Sequence, residues 1–353
     1  MALQGIVTSD WHLMGMTKVL RTPTELQIQE IHKPYHYAIE HSIEHVFVPG
    51  DISDVPKMDD HELIALVTLL LSYDSLGINT YYALGNHDVE SVKKTSMDVL
   101  RVMAENGMFK RFHLFFQPKV LPIDGVNVAF MPFPHVDVPK SKCGRPPLVF
   151  AHIETVGAVG DNGQPLRTKS EGLNRQPGDF IFSGHIHQHQ VLKEKRIVFP
   201  GSLYQKNFGE SLPKGFVEFD AKYRNGELQV RHKFINSHPN FVLQNILIRE
   251  QADWDKLQAD PNIRYKVTVA EGIVVPKGIT TDFPNVVYMN GEHRGAALAI
   301  AGDPETASSD IRDMPAFSLT TGLKSYLKAA QLEPKQIRRA REFVTEARSQ
   351  IRS

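Results

Sequence analysis

Short apolar runs alternate with stretches of helical periodicity over the first 110 residues of the chain. Apolar residues recur at helical spacing from Tyr35 to Val46 and from His61 to Leu76, as in helices that bury one face. Pro34 suits the first turn of the first helix, so residues 13–33 are predicted to form a long loop. The short apolar runs are predicted to be buried strands: 5–9, 46–49 and 80–84. This alternation favours a parallel α/β sheet.

Strand-like runs dominate after residue 110. They lie at 112–116, 126–131, 148–151, 179–182, 196–199, 216–219 and 228–234. The last three alternate apolar and polar residues, which predicts antiparallel strands that close a second sheet. The predicted fold class is therefore α/β (α+β sandwich), a two-sheet core flanked by helices.

The pattern changes again after the core. Asn236–Asn240 resembles a linker in composition, and the residues after it predict a small β-α-β module. The predicted organisation is a core domain at 1–236, a small domain at 237–300, a flexible linker at 301–316 and C-terminal helices at 317–353.

In the tail, apolar residues are spaced like a short heptad seam: Ile337, Ala340, Val344, Ala347 and Ile351. Two interpretations of this helix are open at this point. It could dock on a partner, or it could pack on its own chain. Lys335–Arg352 holds six basic and two acidic residues, which suits docking on an acidic helix or near DNA.

Composition narrows the class of protein. The 353 residues are 41% hydrophobic, enough for a large core, and no apolar run of about 18 residues predicts a membrane span. Cys143 is the only cysteine, and the N-terminal residues lack the basic start of a signal peptide, so we expect the cytoplasm. The 40 basic and 40 acidic residues cancel, which neither indicates nor excludes a nucleic-acid partner.

Five predicted strands end in residues that bind metals or move protons. Two of these strand ends also have a simpler explanation when taken alone: Asp10 and His12 as loop residues, and Gly85-Asn86-His87-Asp88 as a turn. In open α/β sheets, however, functional residues lie beyond the carboxyl ends of the strands. The residues in that position are Asp10, His12, Asp51, Asn86, His152, His185 and His187.

These seven side chains offer carboxylate, amide and imidazole donors without thiolate, a set that suits Mn²⁺, Fe²⁺ or Zn²⁺. They exceed the needs of one ion but would serve two ions that share Asp51, whose two oxygens can reach both. Such a pair activates a water for in-line attack on a phosphoester. His87 would face the substrate as a proton donor or cation, with Asp88 orienting it, or would be structural.

Further residues are weaker candidates. Tyr204, Lys206 and Asn207 are predicted to contact phosphate or substrate. Asp54 is interpreted as a turn or cap residue, and His189 as a turn residue.

The ordered motifs resemble those of the calcineurin-like metallophosphoesterases: Asp10-Trp11-His12, Gly50-Asp51, Gly85-Asn86-His87-Asp88, Ala151-His152 and Gly184-His185-Ile186-His187. Within that superfamily, the Asp-Trp-His-Leu start and Pro200-Gly201-Ser202-Leu203, followed by Phe208-Gly209-Glu210, resemble the SbcD-type DNA nucleases. The length and tail layout resemble recombination endonuclease subunits of tailed phages. The resemblance covers about residues 1–235; beyond it, the small domain and the tail are less specifically similar to a DNA-capping domain and ATPase-binding helices.

The resemblance implies two Mn²⁺ sites with one shared carboxylate. The first ion would be held by Asp10, His12, Asp51 and His187, and the second by Asp51, Asn86, His152 and His185, with His87 as the catalytic histidine. It implies a 3′–5′ exonuclease on double-stranded DNA and an endonuclease on single strands, acting in DNA repair and recombination. It also implies a homodimer bound to an SbcC-type coiled-coil ABC ATPase in a bacterial or phage-infected cell.

Two alternatives stay open. One is a phosphodiesterase or phosphatase of the same superfamily that acts on small molecules or phosphoproteins. The other is a non-catalytic regulatory subunit of an ABC-type ATPase, against which the complete ligand set argues.

Overall fold

The computed structural model describes residues 2–13, 24–58, 60–89, 95–141, 144–291 and 334–352. Its strands, in chain order, are β1 (Leu3–Val7), β2 (His45–Pro49), β3 (Asn79–Ala83), β4 (Phe112–Phe115), β5 (Lys119–Ile123), β6 (Val126–Met131), β7 (Leu148–His152), β8 (Phe180–Gly184), β9 (Gln190–Leu192), β10 (Ile197–Phe199), β11 (Gly215–Arg224), β12 (Glu227–Asn236), β13 (Val242–Ile248), β14 (Ile263–Val269) and β15 (Val286–Gly291). Its α-helices are α1 (Thr24–Glu40), α2 (Asp60–Ser75), α3 (Met97–Glu105), α4 (Ile279–Asp282) and α5 (Pro334–Arg352). Two 3-10 helices span Lys193–Lys195 and Gln251–Lys256.

Two six-stranded sheets form the core. In the first, ordered β12-β11-β1-β2-β3-β4, strands β1 to β4 are parallel, as predicted from the alternation of strands and helices. In the second, ordered β5-β6-β7-β8-β10-β9, the central four strands are parallel and both edge strands are antiparallel. The predicted α/β class with two sheets flanked by helices is therefore confirmed.

The last three alternating runs are predicted to close a second sheet, which is correct for β10 but wrong for β11 and β12. Strands β11 and β12 are antiparallel, but they extend the first sheet beside β1. Strand β10 pairs in parallel with β8 in the second sheet. Alternation of apolar and polar residues indicates that one face of a strand is buried, but it does not determine which sheet the strand joins.

Aromatic side chains fill the space between the two sheets. The rings of Phe47 on β2 and Phe150 on β7 stack with centroids 4.1 Å apart, and Phe182 and Phe219 lie in the same cluster. Each fully buried phenylalanine contributes roughly 1.5–3 kcal/mol. This packing fixes β2 against β7, so that the carboxyl ends of strands from both sheets meet along one edge of the sandwich.

Helix α1 begins earlier than predicted. It starts at Thr24, so Pro34 lies inside the helix and the predicted loop is wrong for residues 24–33. An interior proline costs about 3 kcal/mol because it removes one backbone hydrogen bond and crowds the preceding turn. Burial of Ile28 and Ile31, together with Tyr35, whose ring stacks on Tyr73 at 3.5 Å, offsets that cost.

The small domain after the core is a three-stranded parallel sheet, ordered β13-β14-β15. The predicted helical connection between its first two strands is a 3-10 helix, Gln251–Lys256, and Trp254 from it is buried against the sheet. The predicted end of this domain near residue 300, the linker and residues 317–333 of the tail lie outside the described residues. The domain boundaries stay predictions.

Helix α5 packs on its own chain. Its buried residues Ala340, Val344 and Ala347 belong to the apolar cluster that also contains α2 and α3. Asn106 Nδ2, just after α3, donates to Gln350 Oε1 at 3.1 Å. The part of the heptad-like seam that these three residues form is thus covered within the chain. Among the described residues, no helix has the length and apolar character needed to span a membrane.

Candidate metal centre

Three glycines at strand ends let the polar side chains of the site approach one another. A Cβ atom on Gly50 would lie 2.1 Å from His152 Nδ1, and one on Gly85 would lie 2.1 Å from Asp51 Oδ1. A Cβ atom on Gly184 would lie 2.1 Å from the carbonyl oxygen of Pro49. No side chain fits at these positions without displacing the neighbouring backbone or side chains, so glycine is required for the site to close.

Strained backbone is concentrated at the same strand ends. Asp10, His12, Asp51 and His185 all have positive φ values, of 54°, 42°, 54° and 88°. Non-glycine residues in this region cost of order 1–3 kcal/mol each and persist where surrounding structure holds them, most often at functional sites. Four of the seven predicted ligands therefore have a backbone conformation that is unfavourable for a non-glycine residue, as is common at functional sites.

One cluster brings together Asp10, His12 and His187, all of them buried. The Nε2 atoms of the two histidines are 3.0 Å apart, and His187 Nε2 is 4.0 Å from Asp10 Oδ1. Asp10 Oδ1 also accepts the backbone N–H of His185 at 3.0 Å, which ties the end of β1 to the end of β8.

A second cluster joins Asp51, Asn86, His152 and His185. Asn86 Oδ1 lies 2.9 Å from His152 Nε2 and 3.1 Å from His185 Nδ1. His152 Nε2 is also 3.2 Å from Asp51 Oδ2. The same Oδ2 atom lies 3.7 Å from His12 Nε2 in the first cluster. Asp51 is thus the carboxylate that stands between the two clusters, as the sequence predicts for a bridging ligand.

The hydrogen bonds of the outer ring nitrogens show which atoms are free to bind a cation. His152 Nδ1 donates to the carbonyl oxygen of Pro49 at 3.0 Å, and His187 Nδ1 donates to Glu210 Oε1 at 2.9 Å. His12 Nδ1 lies 3.1 Å from Asp54 Oδ1. Each Nε2 atom therefore carries its lone pair toward other acceptors, an arrangement that a bound cation satisfies. These residues fit a pair of divalent metal ions.

The pKa values of the buried ligands are consistent with a site for divalent metal ions. Burial lowers the pKa of His12 to about 4, which keeps its imidazole neutral. Burial opposes ionisation of Asp51, but the neighbouring His152 outweighs it and holds the pKa of that carboxyl well below its usual range. Burial also lowers the pKa of His152, yet Asp51 outweighs it and raises that pKa to about 9. A divalent cation would displace this proton, since metal ligands bind in the deprotonated form.

His87 stands beside the first cluster. Its Nδ1 atom donates to the carbonyl oxygen of Asp54 at 2.7 Å, and its ring meets that of His12 edge-on at 4.6 Å between centroids. Its backbone N–H donates to Asp51 Oδ1 at 2.9 Å. This leaves Nε2 of His87 as the ring atom available to a substrate.

The model of the calcineurin-like phosphoesterase family matches residues 6–189, more than half of the chain, and this span contains all seven candidate ligands and His87. The chain belongs to this family. Metallophosphoesterases use a dinuclear metal site, and the two clusters joined by Asp51 are the candidate ligands of that site. A comparison with curated proteins gave no match.

Solved structures similar to this phosphoesterase include Yfce, a phosphoesterase from E. coli, with 12% identity, a TM-score of 0.31 and coverage of 62% of this chain and 91% of that chain. GAP50, the anchor in the inner membrane complex of Plasmodium, has 11% identity and a TM-score of 0.38, and the match covers 67% of this chain and 85% of that chain. Vacuolar Protein Sorting 29 from Cryptosporidium parvum has 12% identity and a TM-score of 0.30, and the match covers 67% of this chain and 98% of that chain. Likeness at this level says nothing about the substrate of this chain.

Asp88 does not orient His87 in this phosphoesterase, which corrects the sequence prediction. Its buried carboxylate accepts three backbone N–H groups, from Gly85 at 2.7 Å, Asp51 at 2.9 Å and Ser53 at 3.1 Å. The carbonyl oxygen of Asp54, and not Asp88, accepts from His87 Nδ1. Asp88 therefore holds together the two loops that carry Asp51 and Asn86, and it touches no reacting group.

The three predicted substrate contacts have different positions. Lys206 Nζ lies at the site, 2.6 Å from Asp54 Oδ1 and 3.1 Å from His12 Nδ1. Because Lys206 and His12 Nδ1 are both donors, they share Asp54 as acceptor. Tyr204 is 1% exposed and its hydroxyl donates to the carbonyl oxygen of Trp11, so it is a packing residue. Asn207 Nδ2 donates to Glu210 Oε1 at 3.0 Å, and its Oδ1 atom accepts the backbone N–H of Gly209 at 2.7 Å.

Sequence reasoning missed the residues that hold His187 from behind. Glu210 accepts from His187 Nδ1 and pairs with the buried Lys214 at 2.6 Å. Asp161 Oδ1 accepts the backbone N–H of His187 at 2.8 Å, and its other oxygen is 3.1 Å from Nδ1. Only Glu210 carried a signal, through the motif Phe208-Gly209-Glu210. Asp54, interpreted as a turn residue, also contacts two residues of the site. His189 Nδ1 donates to the carbonyl oxygen of Phe199.

Proposed function

We propose that this phosphoesterase is a Mn²⁺-dependent DNA nuclease subunit, a 3′–5′ exonuclease on double strands and an endonuclease on single strands, which processes DNA ends in repair and recombination. The observation that carries the proposal is that the SbcD-like motifs lie directly behind His187. Ser202 N–H donates to the carbonyl oxygen of His187 at 3.1 Å, and a Cβ atom on Gly201 would lie 2.9 Å from that oxygen. Glu210 binds the imidazole of His187. The sequence features that resemble nucleases are thus part of the metal centre.

The residues of the chain have distinct tasks in phosphodiester cleavage. Two divalent ions, when bound, would supply charge that neutralises the phosphate and activates a water. Asp51 would hold both ions at a fixed separation, and Asp88 keeps its backbone in place. His87 would donate a proton from Nε2 to the leaving oxygen in its doubly protonated form, while its Nδ1–H stays bound to the carbonyl oxygen of Asp54. Lys206 adds positive charge at the same side of the site.

Partners belong to the same proposal. By resemblance, the chain would form a homodimer and bind an SbcC-type coiled-coil ABC ATPase in the cytoplasm of a bacterial or phage-infected cell. Ala340, Val344 and Ala347 of α5 are buried in the cluster that contains α2 and α3. An ATPase would therefore meet other residues of this helix, among them the exposed Arg338, Arg339 and Arg341. Co-purification of the full chain with such an ATPase, compared with a triple Arg→Glu variant, tests this contact.

The experiment on substrate class compares three phosphoesters with the full chain and Mn²⁺. End-labelled duplex DNA, a phosphorylated peptide and a small aryl phosphodiester are tested in parallel, each with wild type and His87→Ala. The proposal expects His87-dependent cleavage of DNA. Hydrolysis of the peptide or the aryl ester with intact DNA would favour the alternative phosphatase or phosphodiesterase. No hydrolysis of any ester by protein with bound Mn²⁺ would favour a regulatory subunit.

A further inference from the structure

The loop after β6 emerges at the edge of the sandwich that holds the metal ligands. In the parallel pair β6–β7, Met131 lies opposite Ala151, the residue before the ligand His152. The next residues of each strand therefore leave the sheet side by side. Phe133 is two residues past Met131, one step beyond the level of His152.

A hydrogen bond ties this loop to the other sheet as well. The backbone N–H of Phe133 donates to the carbonyl oxygen of Leu84 at 2.8 Å, and Leu84 is two residues before the ligand Asn86. Phe133 thus lies between the strand ends that present Asn86 and His152, one from each sheet.

The loop is also held at its far end. Asn174 N–H donates to the carbonyl oxygen of Val136 at 2.8 Å, and Val138 N–H donates to the carbonyl oxygen of Asn174 at 3.1 Å. Despite these bonds, Phe133 is 39% exposed and Val136 is 44% exposed. The chain therefore presents two large apolar side chains to solvent from a fixed backbone beside its phosphoester site.

We propose that Phe133, supported by Val136, stacks against a nucleobase next to the scissile phosphate. Two properties of the position point to this occupant. The metal centre fixes the phosphate, so the group beside it is the part of the ester attached to that phosphate. An exposed phenyl ring beside a phosphate site offers a face on which any base can stack, without selecting its sequence. The inference rests on the proposed function, because it names the group of a nucleic-acid substrate that this surface contacts.

The test compares cleavage of two single-stranded oligonucleotides that differ in one nucleotide. One carries a normal base beside the scissile phosphate, and the other carries an abasic residue there. Wild type, Phe133→Ala, Phe133→Leu and Phe133→Trp are assayed with Mn²⁺, and Leu76→Ala is the matched control. Leu76 is 51% exposed and follows α2, at the amino-terminal end of β3, away from the metal ligands.

If Phe133 stacks on a base, the variants should differ in how strongly they prefer the normal oligonucleotide over the abasic one. Wild type should prefer the normal oligonucleotide in kcat/KM, and Phe133→Ala should reduce that preference about five- to tenfold, mainly through KM. Phe133→Leu, which keeps apolar bulk without a ring, should resemble Phe133→Ala, and Phe133→Trp should keep the preference. Leu76→Ala should behave as wild type.

The outcomes separate this inference from the proposed function. Cleavage of DNA with the same preference in Phe133→Ala, or equal losses on both oligonucleotides, overturns the stacking role and leaves the nuclease proposal standing. A wild type that hydrolyses an aryl phosphodiester but neither oligonucleotide overturns both. Unfolding curves of each variant show whether a loss of cleavage comes from a destabilised fold. If Phe133→Ala is destabilised, the stacking role is judged from Phe133→Trp, which should keep the preference for the normal oligonucleotide.

Discussion

His87 Nδ1 donates to the carbonyl oxygen of Asp54 at 2.7 Å, while the carboxylate of Asp54 lies 3.1 Å from Nδ1 of His12. One residue therefore positions both the candidate proton donor and a candidate metal ligand, the first through its backbone and the second through its side chain. The two functions can be separated by mutation, because a substitution removes the carboxylate and leaves the carbonyl.

Replacing His87 by alanine should remove the proton donor without dismantling the metal centre. We expect cleavage to fall about 10²–10⁴-fold, the usual range for loss of general acid catalysis. Mn²⁺ affinity measured by calorimetry should stay close to that of wild type. Equal cleavage by His87→Ala and wild type under single-turnover conditions would remove His87 from the mechanism.

Asp54→Ala should act on the other side of this pair. Loss of the partner of His12 Nδ1 should lower metal affinity about 10- to 100-fold, as for other outer partners of metal-bound histidines. Since the carbonyl oxygen that holds His87 remains, cleavage at saturating Mn²⁺ should recover most of its rate. Asp124→Ala is the matched control, because Asp124 pairs with His45, outside both clusters. A rate that stays low at saturating metal would assign Asp54 a direct catalytic part.

Asp88→Asn tests the connection between the two loops. The carboxylate of Asp88 accepts hydrogen bonds from three backbone N–H groups. Asparagine has only one acceptor oxygen, so its NH₂ group would face at least one of these N–H groups without forming a hydrogen bond. The free energy of unfolding should fall by about 1–3 kcal/mol for each donor left unpaired, as read from urea unfolding without metal. Metal affinity should fall too, because Asp51 and Asn86 lose their common support. Unchanged stability and affinity would contradict this role.

Glu210 and Lys214 form a buried ion pair behind His187. Either Glu210→Gln or Lys214→Met alone should destabilise the protein by about 3–5 kcal/mol, because each leaves an uncompensated buried charge. The double variant should lose less than the sum of the two. A double-mutant cycle on the free energy of unfolding measures this coupling. Strict additivity would show that the pair does not act as a unit.

The sequence indicates the candidate metal ligands because strand periodicity locates the ends of strands. Asp10, Asp51 and His152 each follow a run of buried residues, and parallel strands bring such ends to one edge. The packing of one sheet on the other, which completes the site, follows from aromatic contacts such as Phe47 with Phe150. These contacts depend on the whole fold.

The supporting residues were less predictable for the same reason. Asp88 reaches Ser53 across 35 positions, and Lys214 reaches the carbonyl oxygen of His187 across 27. No local pattern marks either contact. The start of α1 was misplaced because Pro34 is usually a boundary signal, whereas here burial of the helix face outweighs its cost.

The most direct measurement follows a 3′-end-labelled DNA duplex and a single-stranded circle with the full chain, Mn²⁺ or Mg²⁺, and His87→Ala as control, while bound metal is counted in the same samples. We expect two Mn²⁺ ions per chain, release of the labelled 3′ nucleotide from the duplex and cutting of the circle, with both cleavage reactions lost in His87→Ala. A chain that binds two ions and hydrolyses an aryl phosphodiester, but leaves both DNA molecules intact, would contradict the proposed nuclease function.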